Sequence, residues 1–243
     1  MRPSRLLLAL LLTFVAPGLA AAQLGPGPGG RAPFANHPLP KNEAGRFDYY
    51  ALVLSWSPTY CETNQRGGDP QCNRRDGKRY SFVLHGLWPQ HDKGWPEFCP
   101  IRGSTFVPQP LINRMLDIMP SPRLVIHQFR KHGTCSGLDQ ESYFGLSRKL
   151  FESVKIPPRF DRPNQQFTIT SGEVERAFLE ANPTMKPGHI VIDCGARAGR
   201  LREVRICFSR EGQLRDCGGN ETSRRLCTSD RITVPPVRAG AGR

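Results

Sequence analysis

The 243-residue chain carries 34 Lys and Arg against 21 Asp and Glu, a formal net charge of +13, and 38% of its residues are hydrophobic. That is ample apolar material for one globular core and marginal for two. No six-residue run of like charge exists, which excludes a polybasic tail as the carrier of the charge. Basicity is spread over a folded body suited to nucleic acid, anionic glycans or a membrane surface.

At the N-terminus, Arg2 and Arg5 precede the apolar run Leu6–Val15 and then Ala20–Ala22. A charged region, a short hydrophobic region and a small-residue cleavage site make residues 1–22 a signal peptide, cut before Gln23. The apolar run is too short for a permanent anchor, and no later segment approaches membrane-spanning length. The mature protein is therefore expected to be soluble, without a membrane anchor, and secreted or periplasmic. Loss of Arg2 and Arg5 lowers its charge from +13 to +11. Eight cysteines suit such an oxidising space: Cys61, Cys72, Cys99, Cys135, Cys194, Cys207, Cys217 and Cys227. None forms a CxxC pair, which argues against metal clusters and thioredoxin chemistry, and spacing does not choose among the possible pairings.

Residues 23–45, rich in Gly, Pro and Ala, read as a flexible linker, and one domain is expected over 46–230. Tyr49–Ser55 reads as a buried strand, followed by a turn at Pro58 over Trp56–Cys61. The polar stretch Glu62–Lys78 reads as a loop that a Cys61–Cys72 bridge would staple. Tyr80–Leu84 is a second strand running into His85–Gly86–Leu87–Trp88–Pro89. Alternation places Val83 and His85 on one face and Phe82 and Leu84 on the other. His85 then stands at a strand end, and Gly86 lets the backbone turn or be approached closely.

Leu111–Met119 carries a helical apolar stripe ended by Pro120 and Pro122. Gln140–Ile156 reads as an amphipathic helix halted by Pro157–Pro158. Thr170-x-x-Glu173 is a capping box opening a helix to about Ala181. His189–Cys194 and Glu203–Phe208 read as strands, with a turn at Glu211–Gly212 leading to Leu214–Cys217. Asn220–Glu221–Thr222 is a glycosylation sequon, and 231–243 reads as a basic tail. Strands and helices mix without βαβ alternation. The fold class is α+β: a single domain with a mostly antiparallel central sheet flanked by helices and stapled by disulfides.

The densest stretch is His127–Gln128–Phe129–Arg130–Lys131–His132–Gly133–Thr134–Cys135. As a helix ended by Gly133, at about 100° per residue, it puts His127, Lys131, Gln128 and His132 on one arc, with Phe129 as core anchor on the other side. Two imidazoles and an ammonium on one ledge suit an anionic ligand, of which phosphate is the commonest. A zincin would need H-E-x-x-H. Here the histidines are five apart with Gln128 between them, so no metal ligand and no cofactor is expected.

Phe82–Pro89 and His127–Cys135 together resemble the two active-site segments of the ribonuclease T2 family, in order and in separation. Trp56-x-Pro58…Cys61 and Glu203–Val204–Arg205–Ile206–Cys207 are supporting matches. The resemblance spans roughly residues 47–227. It implies metal-independent endonucleolytic cleavage of single-stranded RNA through a 2′,3′-cyclic phosphate. His132 is implied as the general base on the 2′-OH and His85 as the acid protonating the leaving 5′-oxygen. Lys131 would neutralise the phosphorane, His127 would bind phosphate and Trp88 would stack a base. It also implies the pairings Cys61–Cys72, Cys99–Cys135, Cys194–Cys227 and Cys207–Cys217. DNA, lacking the 2′-OH, would not be cleaved, and a monomer is expected.

Two departures stand out. The family has H-E-W where this chain has His127–Gln128–Phe129, and some relatives place a base-reading acid where Gln90 stands. Gln128 keeps the size and hydrogen-bonding capacity of Glu but not its charge, which implies an active but slower enzyme. The competing readings are an RNase-like protein that binds RNA or another polyanion with weak catalysis, and a secreted zinc hydrolase.

Overall fold

A computed structural model describes residues 42–64, 68–73, 79–195 and 199–237. The expected leader, most of the linker and the last six residues lie outside this set. β1 (Tyr49–Trp56) is the centre of the fold. All of its residues except Ser55 are buried. Tyr50, Leu52, Leu54 and Trp56 enter the main core, while Tyr49, Ala51 and Val53 pack with Cys207 on the opposite face. A strand covered on both faces reads as a continuous apolar run, which is why Tyr49–Ser55 was legible.

The chain then enters α1 (Ser57–Thr63) with Pro58 in its first turn. This replaces the turn expected at Pro58. A proline at a helix start loses no hydrogen bond and presets φ. β2 (Phe82–Gln90) runs well past the expected end at Leu84. It tolerates Pro89 because it is an edge strand. α2 (Gln109–Met115) stops short of the expected Met119, although Met119 remains buried. α3 (Pro122–Gln128) leads into a single π-helical turn over Phe129–Gly133 and then α4 (Thr134–Ser136). Gly133 is not the expected breaker. It keeps helical dihedrals, and the helix ends at Gly137 with φ +77°.

α5 (Gln140–Ser153) buries Tyr143, Phe144 and Leu150. β3 (Phe167–Ile169) precedes α6 (Ser171–Ala181), whose Thr170–Glu173 capping box forms as expected. β4 (Ile190–Asp193) and β5 (Glu203–Phe208) complete an antiparallel sheet of order β2-β1-β5-β4. Leu214 makes only an isolated bridge to Phe208. After α7 (Ser223–Leu226), the expected basic tail contains β6 (Ile232–Val234), paired antiparallel with β3. Ile232, Val234 and Val237 belong to the main core, and the Pro235 carbonyl accepts from Trp56 Nε1 at 3.1 Å. Short strands flanked by Arg and Pro carry too little periodicity to announce themselves.

All four disulfides expected from the resemblance form: Cys61–Cys72, Cys99–Cys135, Cys194–Cys227 and Cys207–Cys217. No helix among the described residues is long and apolar enough to cross a membrane.

Candidate active site

β2 carries His85 into the site through a bulge. Gly86 pairs with Val53 and Leu84 pairs with Leu54, so His85 is the unpaired extra residue. The bulge resets the alternation. Phe82, Leu84 and, beyond the bulge, Leu87 all enter the main core, while Trp88 packs on the opposite cluster. In an unbroken strand residues 85 and 88 would face opposite sides. Here their rings lie 5.2 Å apart, edge to face. Gly86 is approached closely rather than turned. A Cβ there would lie 2.0 Å from Gln128 Oε1 and 2.5 Å from Trp88 Nε1. The vacant space lets Trp88 Nε1–H donate to Gln128 Oε1 at 2.8 Å.

The facing wall is the helical ledge. Thr134 N–H bonds the Phe129 carbonyl, the i→i+5 pattern of a π turn, a feature frequent at functional sites. Phe129 is fully buried, and Gly133 is glycine because a Cβ would sit 2.4 Å from the Phe129 ring. With Phe129 anchored, His127, Gln128, Lys131 and His132 all line one cleft with His85, Trp88 and Gln90, about 370 Å³ in volume. Cys99–Cys135 ties the end of the ledge to the segment after β2, and the Phe98 N–H donates to the Lys131 carbonyl at 2.8 Å.

The two histidines on opposite walls have contrasting surroundings. His132 is only 5% exposed. Its ring stacks on Trp88 at 4.9 Å and 17°, and its Nδ1 is buried without a partner. Burial first, then the charges of Lys131, His85 and His127, push its pKa down to about 2. His127 is lowered by burial and then by Lys131 and His85. His85, by contrast, is half-buried, and its Nδ1 lies 2.7 Å from Glu203 Oε1. Burial would raise the Glu203 carboxyl, but the bond and charge of His85 and the charge of Arg205 outweigh it and hold the carboxyl at about 2. Lys131 Nζ reaches Glu97 Oε2 at 3.2 Å.

Every site residue expected from the sequence reaches this cleft, though some do different work there. Gln128, 2% exposed, grips Trp88 rather than solvent. Gln90 is 3% exposed and turns its Nε2 onto the Pro89 carbonyl. Trp88, expected to offer a face to a base, has His132 stacked on it and Arg205 5.2 Å from its ring. The open aromatic surface at the cleft belongs to Trp95, half exposed. Asn220 of the sequon donates to the His91 and Gly94 carbonyls at 2.7 and 2.6 Å, so its amide is already committed.

Glu203 and Arg205 enter the sequence reading only within a supporting match, and neither they nor Glu97 and Arg225 receive a role there. The available signal was Glu203 and Arg205 two apart in an otherwise apolar strand: opposite charges on one face of a buried β-run need partners. Glu97 and Arg225 carried no such signal. Among the described residues no group of three or more His, Cys, Asp or Glu is placed to hold a metal ion.

The chain matches the Ribonuclease T2 family over residues 47–217. A ribonuclease of Aeromonas hydrophila is 37% identical over 179 residues, covering 71% of this chain and 76% of that protein. RNase NT in complex with 5′-AMP superposes with a TM-score of 0.57 at 26% identity, covering 79% of this chain and 99% of that one. The RNase-related protein from Calystegia sepium gives 0.61 at 21% identity, covering 79% and 98%, and shares the fold.

Proposed function

The chain belongs to the ribonuclease T2 family and is an endoribonuclease of that type, and from this premise we propose that it cleaves single-stranded RNA through a 2′,3′-cyclic phosphate without a metal. The observation that carries the mechanism is the convergence of His85, from a sheet edge, with His127, Lys131 and His132, from a helical ledge, on one cleft. The role of accepting the 2′-OH proton falls to His132, whose neutral imidazole keeps a ring nitrogen free to accept it. His85, paired with a carboxylate, is suited to hold a proton and pass it to the leaving 5′-oxygen. The freed 2′-oxygen attacks phosphorus, and Lys131 and His127 stabilise the charge that gathers on the phosphoryl oxygens. The substrate supplies its own nucleophile, so DNA is not cleaved. Trp95 and the remaining open part of Trp88 would hold bases by stacking, and Arg225 on the cleft wall would track the phosphate backbone.

Gln128 favours a second reading, an RNA-binding protein with weak catalysis, because no carboxylate stands at that position. Incubation of the purified protein with RNA in EDTA separates the readings. Fragments with cyclic-phosphate ends are expected. Retention of intact RNA would support the binder, and loss of activity in EDTA would support a metal hydrolase. His85→Phe and His132→Phe should each abolish cleavage while leaving RNA binding largely intact. The four disulfides suit an oxidising compartment, and we propose that the protein is exported by residues 1–22 and acts as a monomer.

A further inference from the structure

A cluster of buried charges stands behind the cleft. β5 presents Glu203 and Arg205 on one side. Glu203 Oε1 bonds His85 Nδ1 at 2.7 Å, and its Oε2 accepts from Arg205 Nη2 at 2.8 Å and Nε at 3.0 Å. Arg205 Nη1 is held by both oxygens of Glu221, at 2.9 and 3.1 Å, and Nη2 by Asp193 at 3.1 Å. Glu203 cannot turn without leaving a buried charge unpaired, which is strongly unfavourable. The same guanidinium lies 5.2 Å from the ring of Trp88, whose indole is stacked on His132. One cation therefore braces the supports of both catalytic imidazoles.

A carboxylate accepts hydrogen bonds and donates none. Bonded to Glu203, His85 must carry a proton on Nδ1 in both of its charge states, so Nε2 is the nitrogen that gains and loses the titrating proton. The other charged or titratable neighbours along the cleft are His127, His132 and Lys131 from the ledge, the last paired with Glu97, and Arg225 from α7, with Arg205, Glu221 and Asp193 behind Glu203.

We propose that Glu203, clamped by Arg205, is the positioning residue that makes His85 the proton donor of RNA cleavage, by fixing the proton on Nδ1 and turning Nε2 to the leaving 5′-oxygen. This rests on the reading of the cleft as a ribonuclease site. In the step itself the Nε2–H bond of His85 breaks as O5′–H forms and P–O5′ breaks. The 2′-OH proton passes to His132 as O2′–P forms. His85 ends neutral and still bonded through Nδ1–H, and Glu203 remains a carboxylate throughout.

The test compares two substrates. An oligoribonucleotide has an alkoxide leaving group that needs a proton. Uridine 3′-(4-nitrophenyl phosphate) releases a phenolate that does not. Glu203→Gln should lower kcat on the oligoribonucleotide by about 10²-fold with KM nearly unchanged. Cleavage of the nitrophenyl ester should stay close to wild type, and in a His85→Ala background the substitution should add no further loss. Equal losses on both substrates, or an unchanged rate on RNA, would overturn the proposal. Nitrogen NMR of the wild-type imidazoles at alkaline pH gives a test that needs no variant to fold: His85 should be the Nδ1–H tautomer, and an Nε2–H tautomer would sink the idea. If the wild-type protein cleaves neither substrate, the ribonuclease reading fails and the positioning role falls with it; a wild-type protein that cleaves both but carries the Nε2–H tautomer at His85 overturns the positioning role alone.

Discussion

The two histidines differ because of what covers them, not because of their own chemistry. His132 is wrapped by Trp88 and faces a lysine and two further histidines, and each effect disfavours its charged form. A base that stays neutral gives no acid limb near the ordinary histidine range. The rate constant kcat/KM is therefore expected to hold steady as pH falls from 7 through His132's ordinary value of 6.5. A profile falling tenfold per pH unit below 6.5 would show that His132 titrates normally. Gln128 touches this balance directly, since its Oε1 is hydrogen-bonded to the indole stacked on His132. Gln128→Glu keeps an acceptor for Trp88 and adds a negative charge to the cleft that Lys131 also lines. We expect its kcat on RNA to rise several-fold, and a variant no faster than wild type would show that the missing carboxylate costs nothing here.

Two local irregularities build the site, one on each wall. The bulge at His85 turns that ring and Trp88 to the same side of an edge strand. The π turn seats the ledge around a buried Phe129, with Gly133 pressed against its ring. Both depend on the absence of a side chain at one position. Gly86→Ala would place a methyl group into the Trp88–Gln128 hydrogen bond. The expected cost is about 1–3 kcal/mol of stability, read from denaturant midpoints. Activity should fall more steeply than that loss explains, because the indole that supports His132 must move. Wild-type activity in a stably folded Gly86→Ala protein would mean the hydrogen bond is dispensable.

Across the whole molecule, the site is held by a sheet, a helical ledge and a crosslink that ties the ledge to the segment after β2. Cys99–Cys135 spans 36 residues. Replacing both with Ser is expected to remove about 2–4 kcal/mol and to lower activity while the other three bridges stay intact. Full activity in the doubly substituted protein would show that the ledge is placed without the bridge. Acid should weaken the fold as well. His132 takes a proton in the unfolded chain near 6.5 but only near 2 when folded. Between those values the unfolded state binds more protons, so stability falls as pH drops below 6.5. Glu203 adds to this at lower pH, its contribution being present above 4.5 and lost toward 2. Asp193 and Glu221, raised by burial, act in the opposite sense. The urea midpoint should decline from pH 6.5 toward about 5, and His132→Gln should flatten that decline.

Features that rest on local period and residue type are readable along the chain. β1 and β5 were visible as apolar runs, α5 and α6 as amphipathic stripes, and the Thr170–Glu173 cap from two residues three apart. The ledge from His127 to His132 was legible as a cluster because four residues able to hold or move protons crowd six positions, and the two motifs together identified the family. What those residues face is set by long-range packing. The bulge exists because β2 pairs out of step with β1, a register that neither strand encodes separately. Glu203 meets His85 across 118 positions, and β6 becomes core only because β3 lies beside it. Local patterns fix how a segment folds, whereas buried charges and short strands take their meaning from partners that only chain closure brings within reach.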